Sequence, residues 1–307
     1  MPALKNLFLS ISSFLISLAL TPMTVPLCRV IGAIDIPDGR RKINESPTPR
    51  LGGLGFFFAA FIILLPLAAK NAHAAALLAA GSLLFAGGIA DDTYSLSPFF
   101  KLLIQIACAI SVISFIGIPK EFSFLGIIRI PLVGAVGFLF TLFRVVFTIN
   151  AVNFCDGLDG LASGLSLVAL LSLAAFGYAA GNDSPALCAL ILSAAILGFL
   201  PYNKYHARVF MGDCGSQFLG LAIAVLSLGC APGCNFTLET SLFLAVPTAD
   251  TVASVIRRLL KRKSPFSADK GHLHHILLDF GIPHPVAVKI LVSASALVAA
   301  TALIFIY

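Results

Sequence analysis

Apolar runs of about 17 to 25 residues, the length that crosses a hydrocarbon layer as a helix, recur from one end of this 307-residue chain to the other. Ten are read, at 7–28, 53–69, 73–90, 101–118, 132–149, 161–179, 185–200, 215–231, 239–256 and 286–306. Charged residues are only 11% of the chain, against roughly 25% in soluble domains. The expected fold is therefore all-α, a polytopic membrane protein of about ten transmembrane helices. No internal repeat and no long polar linker divides it, so residues 1–307 are expected to form a single membrane domain. The first run exceeds the roughly 7–15 residues of a signal-peptide core, and no small-x-small cleavage pattern follows it. It is read as the first span.

Ten crossings make the connecting loops alternate between two faces. One set (29–52, 91–100, 150–160, 201–214 and 257–285) gathers most of the loop cations, among them Arg29, Arg50, Lys204, Arg208, Arg257 and Arg258. The other set holds Lys70, Lys120 and Arg129. The positive-inside bias makes the first set cytoplasmic and both termini external. Five of the seven cysteines lie in or beside spans or cytoplasmic loops, where disulfides are not expected. Cys230 and Cys234, on the outer set, are read as two unpaired small residues.

The same alternation sorts the chemistry onto the cytoplasmic loops. There lie Asp91 and Asp92, the stretch "NAVNFCDGLDGLASG" (Asn150 to Gly164), Asp213, and His272, His274 and His275, with "PTPRLGG" (Pro47 to Gly53) and Lys101. A single aspartate at a span end is usually a solvated cap. The stretch from Asn150 is harder to treat that way: on a helix Asp156 and Asp159 share a face, as do Asn150 and Asn153. Gly160 and Gly164 have the spacing that admits a close helix neighbour. Paired carboxylates at a membrane face cost desolvation and repulsion unless a cation compensates them.

Oxygen donors of this kind suit hard cations, and magnesium is usually held by one or two carboxylates together with substrate phosphates. Manganese would fit the same donors. Zinc at "HLHH" would meet an imperfect chelate, with no cysteine nearby in sequence. Lys101, Arg208 and the three histidines suit an anionic, phosphate-bearing ligand. Carboxylates and cations together point to phosphoryl transfer. In "VFMGDCGS" (Val209 to Ser216), Gly212 and Gly215 flank Asp213, so backbone amides at a helix start could face a phosphate. The basic run Arg257 to Ser264 reads as an interfacial segment against anionic headgroups.

With "DKGHLHHILLDFG" (Asp269 to Gly281), these motifs resemble, in order, those of the polyprenyl-phosphate N-acetylhexosamine-1-phosphate transferases. The resemblance spans roughly residues 35 to 285. It implies about ten helices around a cytoplasm-facing cleft in a bacterial inner membrane. There a polyprenyl phosphate, undecaprenyl phosphate in many bacteria, attacks a UDP-N-acetylhexosamine and releases UMP, starting a cell-envelope glycan. By the same resemblance Asn153 and Asp213 are the magnesium ligands. Asp91 prepares or orients the lipid phosphate, with Asp92 beside it, and Lys101 meets the diphosphate. Asp156 and Asp159 order the metal site and nucleotide, Phe210 packs near the uracil, and His272, His274 and His275 contact phosphate or sugar. "HLHH" before "LLDFG" is closer to the antigen and teichoic-acid branch, making UDP-GlcNAc the expected donor; Asn44 departs from the histidine frequent in relatives. No nucleic-acid partner is expected, and a homodimer is compatible with all of this.

Three rivals carry different expectations. The lipid I translocase of the same family tends to have three adjacent histidines followed by Phe-Glu. An ion-coupled transporter should place ionisable groups at mid-span on broken helices, yet the span centres here are nearly free of charge, with Arg144 and Asp250 the nearest exceptions. A membrane phosphatase would use the same parts with water as nucleophile.

Overall fold

The computed structural model describes residues 2–36, 47–124, 127–231, 236–262 and 271–306. Arg40, Arg41, Lys42, Lys263 and Lys270, further cations of the first set of loops, lie outside the described residues, as do Asn44, Cys234 and Asp269. The chain runs α1 (Pro2–Ile31), α2 (Gly53–Leu64, continued by a tight turn Leu65–Lys70), α3 (Ala72–Tyr94), α4 (Pro98–Ile116), α5 (Gly134–Phe154), α6 (Leu161–Ala179), α7 (Asp183–Asn203) and α8 (Gly212–Gly229). It then forms α9 (Leu238–Leu242), α10 (Ala245–Leu260), α11 (Leu273–Asp279) and α12 (His284–Ile306). Five short strands complete it: β1 (Ile34–Asp35), β2 (Thr48–Pro49), β3 (Glu121–Phe124), β4 (Ile128–Pro131) and β5 (Phe236–Thr237).

Among the described residues, nine helices are long and apolar enough to cross a membrane: α1, α2 with its turn, α3 to α8, and α12. The protein is a multi-pass, all-α membrane protein. The run expected at 239–256 is not one helix; it breaks at Phe243–Leu244 into α9 and α10. Pro247 accounts for the break, because its ring would clash with the carbonyl four residues back, at Phe243. The broken run still connects the two ends of the bundle. At one end β5 pairs with β3; at the other Asp250 accepts a hydrogen bond from Leu273 N at 2.8 Å.

The alternation of loops read from the sequence holds in space. At the first end, β3 pairs with β4 and β5, Asn182 donates to the carbonyls of Cys230 and Ala231, and Asn71 donates to Ser184 O. These contacts tie together the cation-poor loops. At the other end Arg50 faces Asp92, and Asp159 meets Ala207 and His284. The six described cysteines are buried free thiols.

Helix α8 is the hub. Nearly all its residues are buried, and it packs against α2, α3, α5, α6 and α7. Small residues let backbones approach it. A Cβ on Gly53 would stand 2.7 Å from Gly215 Cα, one on Gly220 2.6 Å from Ile149 Cα, and one on Gly88 would overlap Cys214 Cα. The rings of Phe56, Phe57, Phe85 and Phe218 pack α2, α3 and α8 together, with Phe57 and Phe85 stacked at 3.8 Å. Of the two glycines singled out for helix approach, Gly164 serves it, facing Val292 of α12, whereas Gly160 takes a left-handed turn at φ +78° before α6.

Gly88→Val should therefore prise α3 from α8. We expect a destabilisation of about 1–3 kcal/mol, the usual cost of overpacking, read as a lower unfolding midpoint in detergent. An unchanged midpoint would show that the α3–α8 contact is dispensable.

Candidate active site

The site grows from the start of α8. Asp92, near the end of α3, accepts from Asp213 N at 3.0 Å and Cys214 N at 3.1 Å, capping α8 from a different helix. Its side chain is fully buried. Gly212 has φ +72°, and Arg50 O and Asp92 occupy the space a Cβ would need, so only glycine serves there. The segment before α8 runs beside "PTPRLGG". Phe210 N donates to Pro49 O at 2.8 Å, Gly52 N to Phe210 O at 2.8 Å, and Gly53 N to Met211 O at 3.0 Å.

Asp91 sits next to Asp92 on α3. Ser95 ends that helix in the left-handed region, Leu96 N donates to Asp91 Oδ1 at 2.8 Å, and Pro98 starts α4. This tight turn brings Lys101 back over α3. Its ammonium pairs closely with Asp91 Oδ2 and lies 3.1 Å from Asp213 Oδ2. Lys101 thus bridges carboxylates from two helices. One helical turn further along, Gln217 donates to Asp213 Oδ2 at 3.3 Å, and Asn150 donates to Gln105 Oε1 at 2.7 Å. Asn153 Oδ1 accepts from Ser216 Oγ, on the α8 face that carries Asp213.

Asp156 and Asp159 do not share a helix face, because α5 ends at Phe154 and residues 155–160 turn. Burial pushes the Asp156 carboxyl well above its ordinary range, with Asp213 and Asp92 adding repulsion and Arg50 opposing it. Asp156 therefore belongs electrostatically to the cluster. Asp159 turns elsewhere: its Oδ2 accepts from Ala207 N at 2.9 Å, and its own N–H donates to His284 Nε2 at 2.9 Å.

The histidines reach the site through α10. Asp250 is 2% exposed; it holds His272 Nδ1 at 2.8 Å through Oδ2 while its Oδ1 takes Leu273 N. His272 packs against Phe154, next to Asn153, with ring centroids 5.7 Å apart. His274 stacks parallel to His272 and abuts Gly157, where a Cβ would overlap its ring. Burial first, then the neighbouring His275 and His272, pushes His274 down to about 4. It is neutral at pH 7 without a ligand, so it is not one of the site's standing cations. His275 lies beside it at 4.3 Å between centroids, Phe210 is half-buried, and Arg208 is exposed.

Direct contacts therefore join Asp91, Asp92, Lys101 and Asp213, and α8 links them to Asn153. Asp156 joins through its field, and His272 and His274 through Phe154 and Gly157. Gln105 and Gln217 are not among the residues named from sequence, and Arg50 and Asp250 are named there only as a loop cation and a charge within a span. Gln105 and Gln217 lie four residues after Lys101 and Asp213, one helical turn on the same face, and polar residues at that spacing in apolar runs were the available signal. Among the described residues no three His, Cys, Asp or Glu side chains form a ready metal cage. The oxygen donors of Asp213 and Asn153 are of the kind that a hard divalent cation takes. Asp250→Ala should release the His272 segment, seen as faster amide exchange over 271–279 with the α3 and α8 amides unaffected; equal protection would mean that Asp250 does not hold it.

A sequence profile described as glycosyl transferase family 4 matches residues 74–231. A probable undecaprenyl-phosphate N-acetylglucosaminyl 1-phosphate transferase of Bacillus subtilis is 35% identical, over 92% of this chain and 79% of its own. A decaprenyl-phosphate N-acetylglucosaminephosphotransferase of Mycolicibacterium smegmatis is 34% identical over 85% and 72%. The undecaprenyl-phosphate alpha-N-acetylglucosaminyl 1-phosphate transferase of Escherichia coli K12 is 31% identical over 94% and 81%. The order of motifs, the helical bundle and these likenesses agree: this chain belongs to glycosyl transferase family 4.

Proposed function

We propose that this protein transfers N-acetylglucosamine 1-phosphate from UDP-GlcNAc to a polyprenyl phosphate such as undecaprenyl phosphate, releasing UMP. The observation that carries this reading is Lys101 bridging Asp91 and Asp213 above the capped start of α8. One place then offers positive charge to a diphosphate and anionic oxygens to a divalent cation. The acceptor and the sugar come from what the relatives are named for. The same names favour this reading over lipid I synthesis.

In the reaction, a lipid-phosphate oxygen bonds to the β-phosphorus of the donor. The bond from that phosphorus to the α–β bridging oxygen breaks, and UMP leaves with the bridging oxygen. The nucleophile is already an anion, so Asp91 needs only to orient it. Lys101 binds the diphosphate and balances charge that shifts onto the leaving UMP. Asp92 holds the α8 start in place, and Asp156 and Asp159 order the loop beside it. Phe210 packs at the uracil end, while His272, His274 and His275 contact phosphate or sugar. Asp213 and Asn153 would hold magnesium, with manganese as a substitute; the bound ion supplies neutralisation of phosphate charge.

The site lies at the cation-rich end of the bundle, and the positive-inside bias supports a cytoplasm-facing site, in a bacterial inner membrane on the transferase reading. Ten crossings then leave both termini external. Of the nine long helices described, only α5 carries a charged side chain at its middle, Arg144, and so sparse a set of mid-span charges argues against transport.

Purified protein given magnesium, polyprenyl phosphate and UDP-GlcNAc should release UMP, one per lipid-linked product, without inorganic phosphate. Lipid-independent release, or free phosphate, would make it a hydrolase. Asp91→Asn and Asp213→Asn should each lower turnover at least about a hundredfold, the scale of losing one preorganised charge partner, with unfolding midpoints near wild type. Full activity in either variant would remove that residue from the mechanism.

The folded protein keeps the Asp156 proton to higher pH than the unfolded chain does. Ionising it therefore costs stability as pH rises above about 4. Asp156→Asn should flatten the fall in the ligand-free midpoint between about pH 4 and 7 while lowering magnesium-dependent transfer. A parallel fall in wild type and variant would place the charge strain elsewhere.

A further inference from the structure

Arg50 has a fixed backbone and a loosely held head. Its N–H donates to Ala33 O at 3.0 Å, and on either side Pro49, Gly52 and Gly53 are bonded to Phe210 and Met211. The guanidinium, by contrast, stands 3.8 Å from Asp92 through Nε and 3.7 Å from Asp35 through Nη1, both beyond hydrogen-bond reach. Both oxygens of the Asp92 carboxylate already accept α8 amides, so Arg50 makes no close hydrogen bond there. The side chain is 37% exposed, and its charge is felt at both Asp156 and Asp213. A forked cation just after β2, on a backbone held at Ala33, facing acidic groups without bonding them closely, is poised to receive an anion that arrives with a counter-ion.

We infer that Arg50 is a second phosphate-binding cation, gripping the diphosphate of the sugar donor together with Lys101. The inference rests on the transferase reading for its ligand. Arg50 follows Pro49, whose carbonyl takes Phe210 N, and its guanidinium faces Asp92, which caps the helix start bearing Asp213; with Lys101 on Asp213, the donor's diphosphate would be held by two cations. The acceptor's phosphate carries the same chemistry, and kinetics can separate the two sources.

The test compares wild type, Arg50→Gln and Arg50→Lys in the full-length protein with magnesium. Arg50→Gln should raise the KM for UDP-GlcNAc about tenfold or more, the scale of lost charge-assisted hydrogen bonds. The KM for polyprenyl phosphate should stay within about twofold, below the effect of losing one such bond. Arg50→Lys, which keeps the charge without the fork, should fall between them. Thermal stabilisation by inorganic pyrophosphate with magnesium should shrink in both variants, while unliganded midpoints stay at the wild-type value. Unchanged donor KM, or an effect confined to the lipid phosphate, overturns the assignment. So does an Arg50→Gln protein that only melts early while Arg50→Lys binds pyrophosphate like wild type. Should wild type transfer no sugar at all, the transferase reading fails, and the pyrophosphate comparison still decides what Arg50 binds.

Discussion

The capping of α8 by Asp92 is the interaction on which the rest of the site depends. A buried carboxylate accepting two amides at a helix start gains charge-assisted hydrogen bonds and a favourable dipole end. It also removes two of the backbone donors that a helix start would otherwise leave unsatisfied inside the membrane protein. The consequence is geometric. Once Asp92 holds Asp213 N, its neighbour Asp91 must lie near the Asp213 side chain, and two carboxylates face each other. Lys101 answers that repulsion, which requires the tight α3–α4 turn at Ser95–Pro98. Of the two adjacent aspartates, one caps α8 and the other pairs with Lys101.

Much of this was legible in the sequence because its physical causes are local. Span length and the sparseness of charge follow directly from the bilayer, and they yield both the helical architecture and the two sets of loops. The break at Phe243–Leu244 was hidden because apolar content says nothing of continuity; Pro247 was its one visible sign. Asp156 and Asp159 looked paired because helical spacing was assumed, while the chain ends α5 at Phe154 and turns. Their divergence comes from long-range partners, Ala207 and His284, which no local pattern contains. Asp250 was noticed only as a charge near a span end; that it holds His272 depends on a fold that brings residues 22 positions apart into contact.

The two ends of the bundle are built on different principles. At the cation-poor end, strands and carboxamides close the loops over one another. At the other end, the closing contacts are between charged groups and backbone amides, and several motifs meet around one helix start. Glycines make that meeting feasible: Gly53 and Gly88 let α2 and α3 come within contact of α8, and Gly212 lets the start of α8 lie against Arg50 O and Asp92. Bulk at any of them would separate charges that the site requires to be close.

That closeness leaves the ligand-free site electrostatically strained. Asp91, Asp92, Asp156 and Asp213 gather around two nearby cations, Lys101 and Arg50, and burial first, then the Asp213 and Asp92 charges, pushes the Asp156 carboxyl upward. A diphosphate alone would add negative charge to this cluster, while a divalent ion alone would lack the phosphate oxygens that complete its preferred shell. Bound together, each removes the other's penalty, so on the transferase reading the affinity for donor and the affinity for metal are linked by one coupling free energy. On that reading the excess of carboxylates disfavours a bare diphosphate and favours one that arrives with its cation.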